Sequence, residues 1–130
     1  MNQKFKKIWL KNLRSGKFKQ GKGYLKKQYK DNKEINYCCL GVLCTSLVAA
    51  HLINPPTKHS SNTYYNPFDT WSYDESDTTL SDNIQELVGI DNEIQLRLFN
   101  LNDDGLYNNK TLEFEKMTFK RIAAWIEKNL

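Results

Sequence analysis

The 130-residue sequence has no long uninterrupted apolar segment, and it contains only two His and three Cys. A membrane-spanning helix needs roughly 20 apolar residues, whereas the longest apolar stretch, residues 38–53, is broken by polar side chains. The N-terminus alternates Lys with apolar residues and lacks the continuous apolar segment of a signal peptide. These absences predict a cytoplasmic protein without a membrane partner.

Three cysteines, two of them adjacent, cannot form a closed set of disulfides. The spacing of Cys38, Cys39 and Cys44 does not match the C-x2-C pairs of common zinc sites, and the residues between them are apolar. We therefore expect three reduced thiols that pack as small apolar side chains. The sequence predicts neither a metal site nor a cofactor.

A complete catalytic set is also missing, since no nucleophile with a base and an orienting group can be named. The pattern Gly16-x4-Gly21-Lys22 matches a phosphate-binding P-loop until Gly23, which stands where a Ser or Thr would bind magnesium. The segment also follows an amphipathic helix instead of a buried strand. We therefore predict no catalytic residues and no enzymatic activity.

A second partial motif, Asn100 to Gly105, resembles the start of a calcium-binding loop. Its first position lacks a carboxylate and its twelfth is Thr111 instead of Glu. The main interpretation is an Asx-type turn in which Asn102 and Asp103 bond to local backbone and Gly105 adopts a positive φ. The alternative is that Asn102 and Asp103 line a ligand pocket.

The net charge of +4 is distributed unevenly along the chain. Residues 1–34 carry 12 Lys/Arg and 2 Asp/Glu, a balance of +10, which leaves a balance of −6 for residues 35–130. A concentrated positive potential attracts anions such as nucleotides, nucleic acids and acidic proteins.

Apolar periodicity and turn residues predict an α+β fold, with three or four helices packed on a small antiparallel sheet or hairpin in a single domain, 1–130. The predicted elements are a helix at 3–13, a hairpin of strands 24–29 and 34–38, a buried helix at 40–52, a short helix between Ser81 and Gly89, and a helix after Thr118. Residues 57–79 are polar and predict a loop or irregular hairpin. Residues 94–101 have mixed spacing and stay unassigned.

The segment from Arg14 to Lys27 is the candidate anion site, because glycines let backbone N–H groups approach a phosphate closely. Tyr24 would stack on a base, and the positive charge would come from Arg14, Lys17, Lys19, Lys22 and Lys26. The alternative is a solvated lysine-rich surface whose glycines serve only as turn residues.

Five blocks carry a resemblance to a known group of proteins. They are Trp9 to Gly16, Gln20 to Leu25, Tyr37 to Cys44, Leu101 to Gly105 and Phe119 to Glu127. The pattern resembles a family of small accessory proteins of bacteriophages and prophages, from which the chain departs by the extra residues 106–117. The resemblance implies an accessory phage protein in the cytoplasm of a bacterial host.

Accessory phage proteins of this size are often inhibitors of host immunity. The leading hypothesis is therefore an anti-defence protein that sequesters a phosphorylated, nucleotide-derived immune signal without turnover. The alternatives are a protein–protein inhibitor of a host defence enzyme, similar in role to an anti-CRISPR protein, and a nucleic-acid-binding protein. The oligomeric state stays open, with a homo-oligomer among the alternatives.

Overall fold

A computed structural model describes residues 1–60 and 66–130 of the chain. The helices are α1 (Gln3–Arg14), α2 (Cys39–Ala49), α3 (Asp82–Val88), α4 (Asn92–Asp103) and α5 (Phe119–Asn129). The strands are β1 (Lys26–Tyr29), β2 (Ile35–Tyr37), β3 (Thr57–His59), β4 (Phe68–Ser72), β5 (Leu106–Asn108) and β6 (Glu113–Glu115). The predicted α+β class and single domain are confirmed.

The core forms where α1 packs against α2 and α5, and α4 also packs against both α2 and α5. Helix α1 is amphipathic, as predicted, and buries Phe5, Trp9 and Leu13 on one face. The predicted central helix is α2, whose side chains are buried almost all round. Among the described residues, no helix is long and apolar enough to cross a membrane.

The boundary residues of two predicted helices, α3 and α5, cap these helices in the structure. The Ser81 side chain accepts the Ile84 N–H at the start of α3, and the Thr118 side chain accepts the Arg121 N–H at the start of α5. Gly89 ends α3 in the left-handed region, with a φ of 74°. Each cap bonds a backbone group that the helix itself leaves unpaired.

Four strands form one antiparallel sheet in the order β2-β1-β4-β3. The predicted hairpin of β1 and β2 is confirmed, with Lys26 opposite Tyr37. Strands β3 and β4 pair as a second hairpin within the polar segment 57–79, and β4 joins it to β1. Residues 61–65 of this segment, which include Tyr64 and Tyr65, lie outside the described residues.

The predicted turn at 102–105 is wrong. Helix α4 begins after the cap residue Asp91 and continues through Asn102 and Asp103, which gives five helices among the described residues instead of three or four. Mixed apolar spacing hid this helix because Gln95 and Asn102 are buried polar residues. Gly105 follows it with a φ of 90°, and β5 and β6 then form a separate two-stranded sheet.

A close backbone contact joins α2 to the glycine-containing segment, residues 16–25. A Cβ atom at Gly41 would lie 1.6 Å from the backbone oxygen of Leu25. Only glycine permits this approach, because any other residue would place a carbon atom inside the Leu25 carbonyl group. The contact fixes the segment against the first turn of α2.

Candidate functional site

Asn102 joins three parts of the structure through its side chain, which is only 5% exposed. Its Oδ1 accepts the Cys39 N–H and a Gln20 Nε2 hydrogen, both at 3.1 Å. Its Nδ2 donates to the Gly21 carbonyl at 2.8 Å and to Asp103 at 2.9 Å. All hydrogen-bond donors and acceptors of this amide are therefore paired within the protein, so the structure gives Asn102 a structural role instead of the predicted ligand contact.

The glycine segment binds acceptors of the protein itself. The Gly23 N–H donates to both carboxylate oxygens of Asp103, at 3.1 and 3.3 Å, and the Gly21 N–H donates to the Tyr37 carbonyl at 2.7 Å. The prediction that these two N–H groups form an anion nest is wrong, because their hydrogen bonds are already made. The predicted local Asx turn at Asn102 and Asp103 is also wrong, because both side chains bond to residues about 80 positions away.

The predicted cations do not converge on one cavity. Arg14 forms an ion pair with Glu127 and Lys19 forms one with Glu34, both at 2.6 Å. Lys17 is exposed on the loop after α1. Of the eight predicted ligand-binding residues, Lys22, Asn102 and Asp103 share a cavity of about 250 Å³.

This cavity between the glycine segment and the end of α4 carries charges of both signs. Lys22 and Lys116 line it together with Asp103 and Asp104, and Phe114 forms an apolar wall. Its volume lies below the roughly 300–1,000 Å³ of typical ligand pockets. Balanced charge and small size make it a poor site for a phosphorylated ligand.

A second group of residues lies on one face of the four-stranded sheet. The Lys26 Nζ is 4.4 Å from the ring centre of Trp71 and 5.6 Å from that of Tyr37, and the Lys58 Nζ is 5.1 Å from the same Trp71 ring. We refer to Lys26, Tyr37, Lys58 and Trp71 as the lysine–tryptophan cluster. It contains two ammonium groups on one indole ring.

Strand register places these four side chains on the same face. Lys26 is directly opposite Tyr37, and Lys58 is directly opposite Trp71. Lys27 pairs with Thr70 in the antiparallel β1–β4 ladder, so Lys26 is opposite Trp71. The cluster therefore draws on all four strands of the sheet.

Positive charge exceeds negative charge around the cluster. The carboxylate of Asp69, which is 15% exposed, lies 3.8 Å from the Lys58 Nζ, and the Gln28 side-chain oxygen accepts from Lys58 at 3.3 Å. Burial, followed by the charge of Lys58, lowers the pKa of Lys26 below its ordinary value. The buried Asp69 Oδ1 has no hydrogen-bond partner among the described residues.

The other face of the sheet holds the glycine segment in place. Lys27 is buried, and its Nζ donates to the Lys22 carbonyl at 2.9 Å and lies 5.1 Å from the Phe68 ring. The Tyr24 ring, predicted to stack on a base, packs edge-on against Phe68 with ring centres 5.2 Å apart. Tyr24 thus contributes to packing of this face.

Sequence reasoning identified Lys26 but missed Tyr37, Lys58 and Trp71. Lys58 and Trp71 lie in the polar segment 57–79, and their only sequence signal is an isolated aromatic residue among polar ones. Pairing register brings them together, and register cannot be derived from the composition of such a segment.

His59 and Ser72 form a hydrogen bond of 2.8 Å on the opposite face from the cluster. A nucleophile–base pair also needs an orienting group on the other ring nitrogen. No carboxylate bonds to His59 in the described ranges 1–60 and 66–130, and Ser72 is buried. The pair does not make a complete nucleophilic site.

All three cysteines are buried and free, which confirms the prediction of packed thiols. Burial raises the pKa of the Cys38 thiol to about 12 and holds the pKa values of Cys39 and Cys44 well above the ordinary value. No group of three or more His, Cys, Asp or Glu with metal-binding geometry occurs in the described part of the chain.

Comparison with curated proteins and with solved structures gave no match. A family model does match, and it covers residues 1–130. Its description is a domain of unknown function, DUF8296. The chain belongs to the DUF8296 family.

Proposed function

We propose that the protein binds a phosphorylated, nucleotide-derived ligand at the lysine–tryptophan cluster and does not turn it over. One observation carries the proposal: the ammonium groups of Lys26 and Lys58 lie 4.4 and 5.1 Å from a single indole ring. The two ammonium groups repel each other, and within the described part of the chain Asp69 alone forms a salt bridge with either of them. A bound phosphate would relieve the repulsion.

The cluster also offers an aromatic surface beside its charges. An indole ring is a stacking platform for a nucleobase, and lysine ammonium groups bind phosphate oxygens. A nucleotide carries both chemical groups within one small molecule. The Trp71 ring with Lys26 and Lys58 therefore matches a nucleotide better than it matches an inorganic anion alone.

Of the residues predicted for the anion site, this proposal retains Lys26. The other residues of the proposed site lie on the four-stranded sheet. Binding without turnover suits a protein that sequesters a signal, and the residues of the cluster include no nucleophile with a base. Resemblance to phage accessory proteins supports an anti-defence role in the cytoplasm of a bacterial host. We propose this role together with binding that involves no enzymatic turnover.

The test measures melting temperatures of the protein with cyclic nucleotides and cyclic ADP-ribose isomers. A ligand at 100 times its Kd stabilises the folded state by about 2.7 kcal/mol, which is roughly 10 °C for a domain of this size. The matched variants are Lys26→Gln/Lys58→Gln, expected to lose the shift, and Lys33→Gln/Lys110→Gln, expected to keep it. No shift with any compound, with no nucleotide released from heat-denatured protein, overturns the proposal, and hydrolysed products would show an enzyme.

A second candidate function is inhibition of a host defence enzyme through direct contact. It is favoured by exposed apolar side chains on the β5–β6 hairpin, where Leu112 is 71% exposed and Phe114 is 61% exposed. This function predicts a stable complex with a purified host nuclease in size-exclusion chromatography. It also predicts no stabilisation by nucleotides.

A further inference from the structure

The solvent-facing side of α1 carries an unbroken line of cations. Lys4, Lys7, Lys11 and Arg14 are separated by three, four and three residues, which places them on one face of a helix. All four are exposed, whereas Phe5, Trp9 and Leu13 are buried on the opposite face. We refer to these four residues as the α1 stripe, which extends over about 15 Å.

The charges of the α1 stripe destabilise the helix that carries them. No acidic residue occurs in α1, and like charges three and four positions apart repel each other. Lys4 lies in the first turn, where the helix dipole disfavours a cation. Arg14 pairs with Glu127, but within the described residues no carboxylate forms a salt bridge with Lys4, Lys7 or Lys11.

We propose that the α1 stripe binds the phosphate backbone of duplex nucleic acid. The four cations lie within about one Debye length of their neighbours at 0.1 M salt, so their potentials add along the helix. A linear polyanion would contact successive members of the stripe. Binding of this kind is independent of base sequence, because lysines on phosphates position a protein without reading bases.

Duplex nucleic acid fits this face better than a membrane or a single strand. Membrane-surface helices insert an apolar face into lipid, whereas the apolar face of α1 is buried in the core of the protein. Single strands are bound by stacking on aromatic side chains, and the aromatic residues of α1, Phe5 and Trp9, are both buried. The α1 stripe presents positive charge without exposed aromatic rings, and positive charge is sufficient for contact with the phosphate backbone of a duplex.

This surface is independent of the lysine–tryptophan cluster, since one lies on α1 and the other on the sheet. The test measures anisotropy of a fluorescein-labelled 20-base-pair DNA duplex at several salt concentrations. With three to four phosphate contacts, log K falls against log salt with a slope of about −3 to −4. The variant Lys4→Gln/Lys7→Gln/Lys11→Gln should lose about tenfold or more in affinity at low salt.

Two matched variants make the result specific. Lys33→Gln/Lys110→Gln/Lys120→Gln removes the same charge from other exposed positions and should bind nearly as the unaltered protein does. Lys4→Arg/Lys7→Arg/Lys11→Arg keeps the charge and should retain binding, which separates lost charge from lost folding. Equal losses in the two Gln triples, unchanged affinity in the α1 triple, or affinity independent of salt overturns the proposal.

Discussion

The carboxylate of Asp103 accepts the backbone N–H of Gly23 through both of its oxygens, at 3.1 and 3.3 Å. A glycine segment rich in lysine resembles an anion site in sequence, but here the protein supplies the anion itself. This contact ties the segment to the end of α4 and leaves its N–H group satisfied. Binding of an external phosphate is therefore proposed elsewhere, at the cations of the sheet and of α1.

Replacing Asn102 should destabilise the protein strongly. The Asn102→Ala variant leaves the Cys39 N–H and the Gly21 carbonyl without their partner. Each buried group that loses its hydrogen bond costs about 1–3 kcal/mol, so we expect a loss of roughly 3 kcal/mol or more in urea unfolding. Asn100→Ala, an exposed position on the same helix, should change stability by no more than about 0.5 kcal/mol. Equal effects of the two substitutions would show that Asn102 holds nothing together.

The close approach of Gly41 to Leu25 predicts a large effect of adding one methyl group. Gly41→Ala places its Cβ 1.6 Å from the Leu25 oxygen, so either α2 or the glycine segment must move. We expect a loss of about 3 kcal/mol or more, or failure to fold. Gly16→Ala, where φ is 75° but space is open, should cost only about 1–2 kcal/mol. If circular dichroism during urea unfolding ranks the two variants in the reverse order, the contact is absent in solution.

The three thiols should not react in the folded protein. Burial raises their pKa values, that of Cys38 to about 12, so the reactive thiolate is scarce at pH 8 as well as inaccessible. Titration with Ellman's reagent should detect no fast-reacting thiol without denaturant and three thiols in 6 M guanidinium chloride. A thiol that reacts in the native protein at the rate of a free cysteine contradicts this prediction.

The lowered pKa of Lys26 gives stability a defined pH dependence. The folded protein holds this proton less tightly than the unfolded chain, whose pKa is near 10.5. Between the folded-state pKa and 10.5 the unfolded chain binds more protons, so stability rises with pH. Compared with Lys26→Met, the unaltered protein should gain stability from pH 8 to pH 10 in urea unfolding. A difference between the two proteins that falls over this range would have the wrong sign.

Much of the fold could be predicted from local patterns in the sequence. The apolar face of α1, the cap residues Ser81 and Thr118, and the β1–β2 hairpin depend on neighbouring residues, so periodicity and turn chemistry reveal them. Helix α4 was not predicted, because the buried polar residue Asn102 interrupts the apolar pattern of its sequence. A buried polar residue is explained only by its partners, which are distant in sequence.

The candidate site was harder to predict than the fold. Charge counting identified the basic first third and included Lys26, but it could not separate cations that form ion pairs, such as Arg14, from those beside an aromatic ring. Trp71 and Lys58 join Lys26 through the register of three strands. A one-residue shift of that register would place them on opposite faces of the sheet.

The proposed ligand site is tested most directly by titrating the protein with cyclic nucleotides and cyclic ADP-ribose isomers while tryptophan fluorescence is measured. Stacking of a base on Trp71 predicts quenching that disappears in Trp71→Phe, and a Kd that rises about tenfold or more for each of Lys26→Gln and Lys58→Gln. Quenching that persists in Trp71→Phe, or binding that is unchanged when both lysines are replaced, would contradict a ligand site at the lysine–tryptophan cluster.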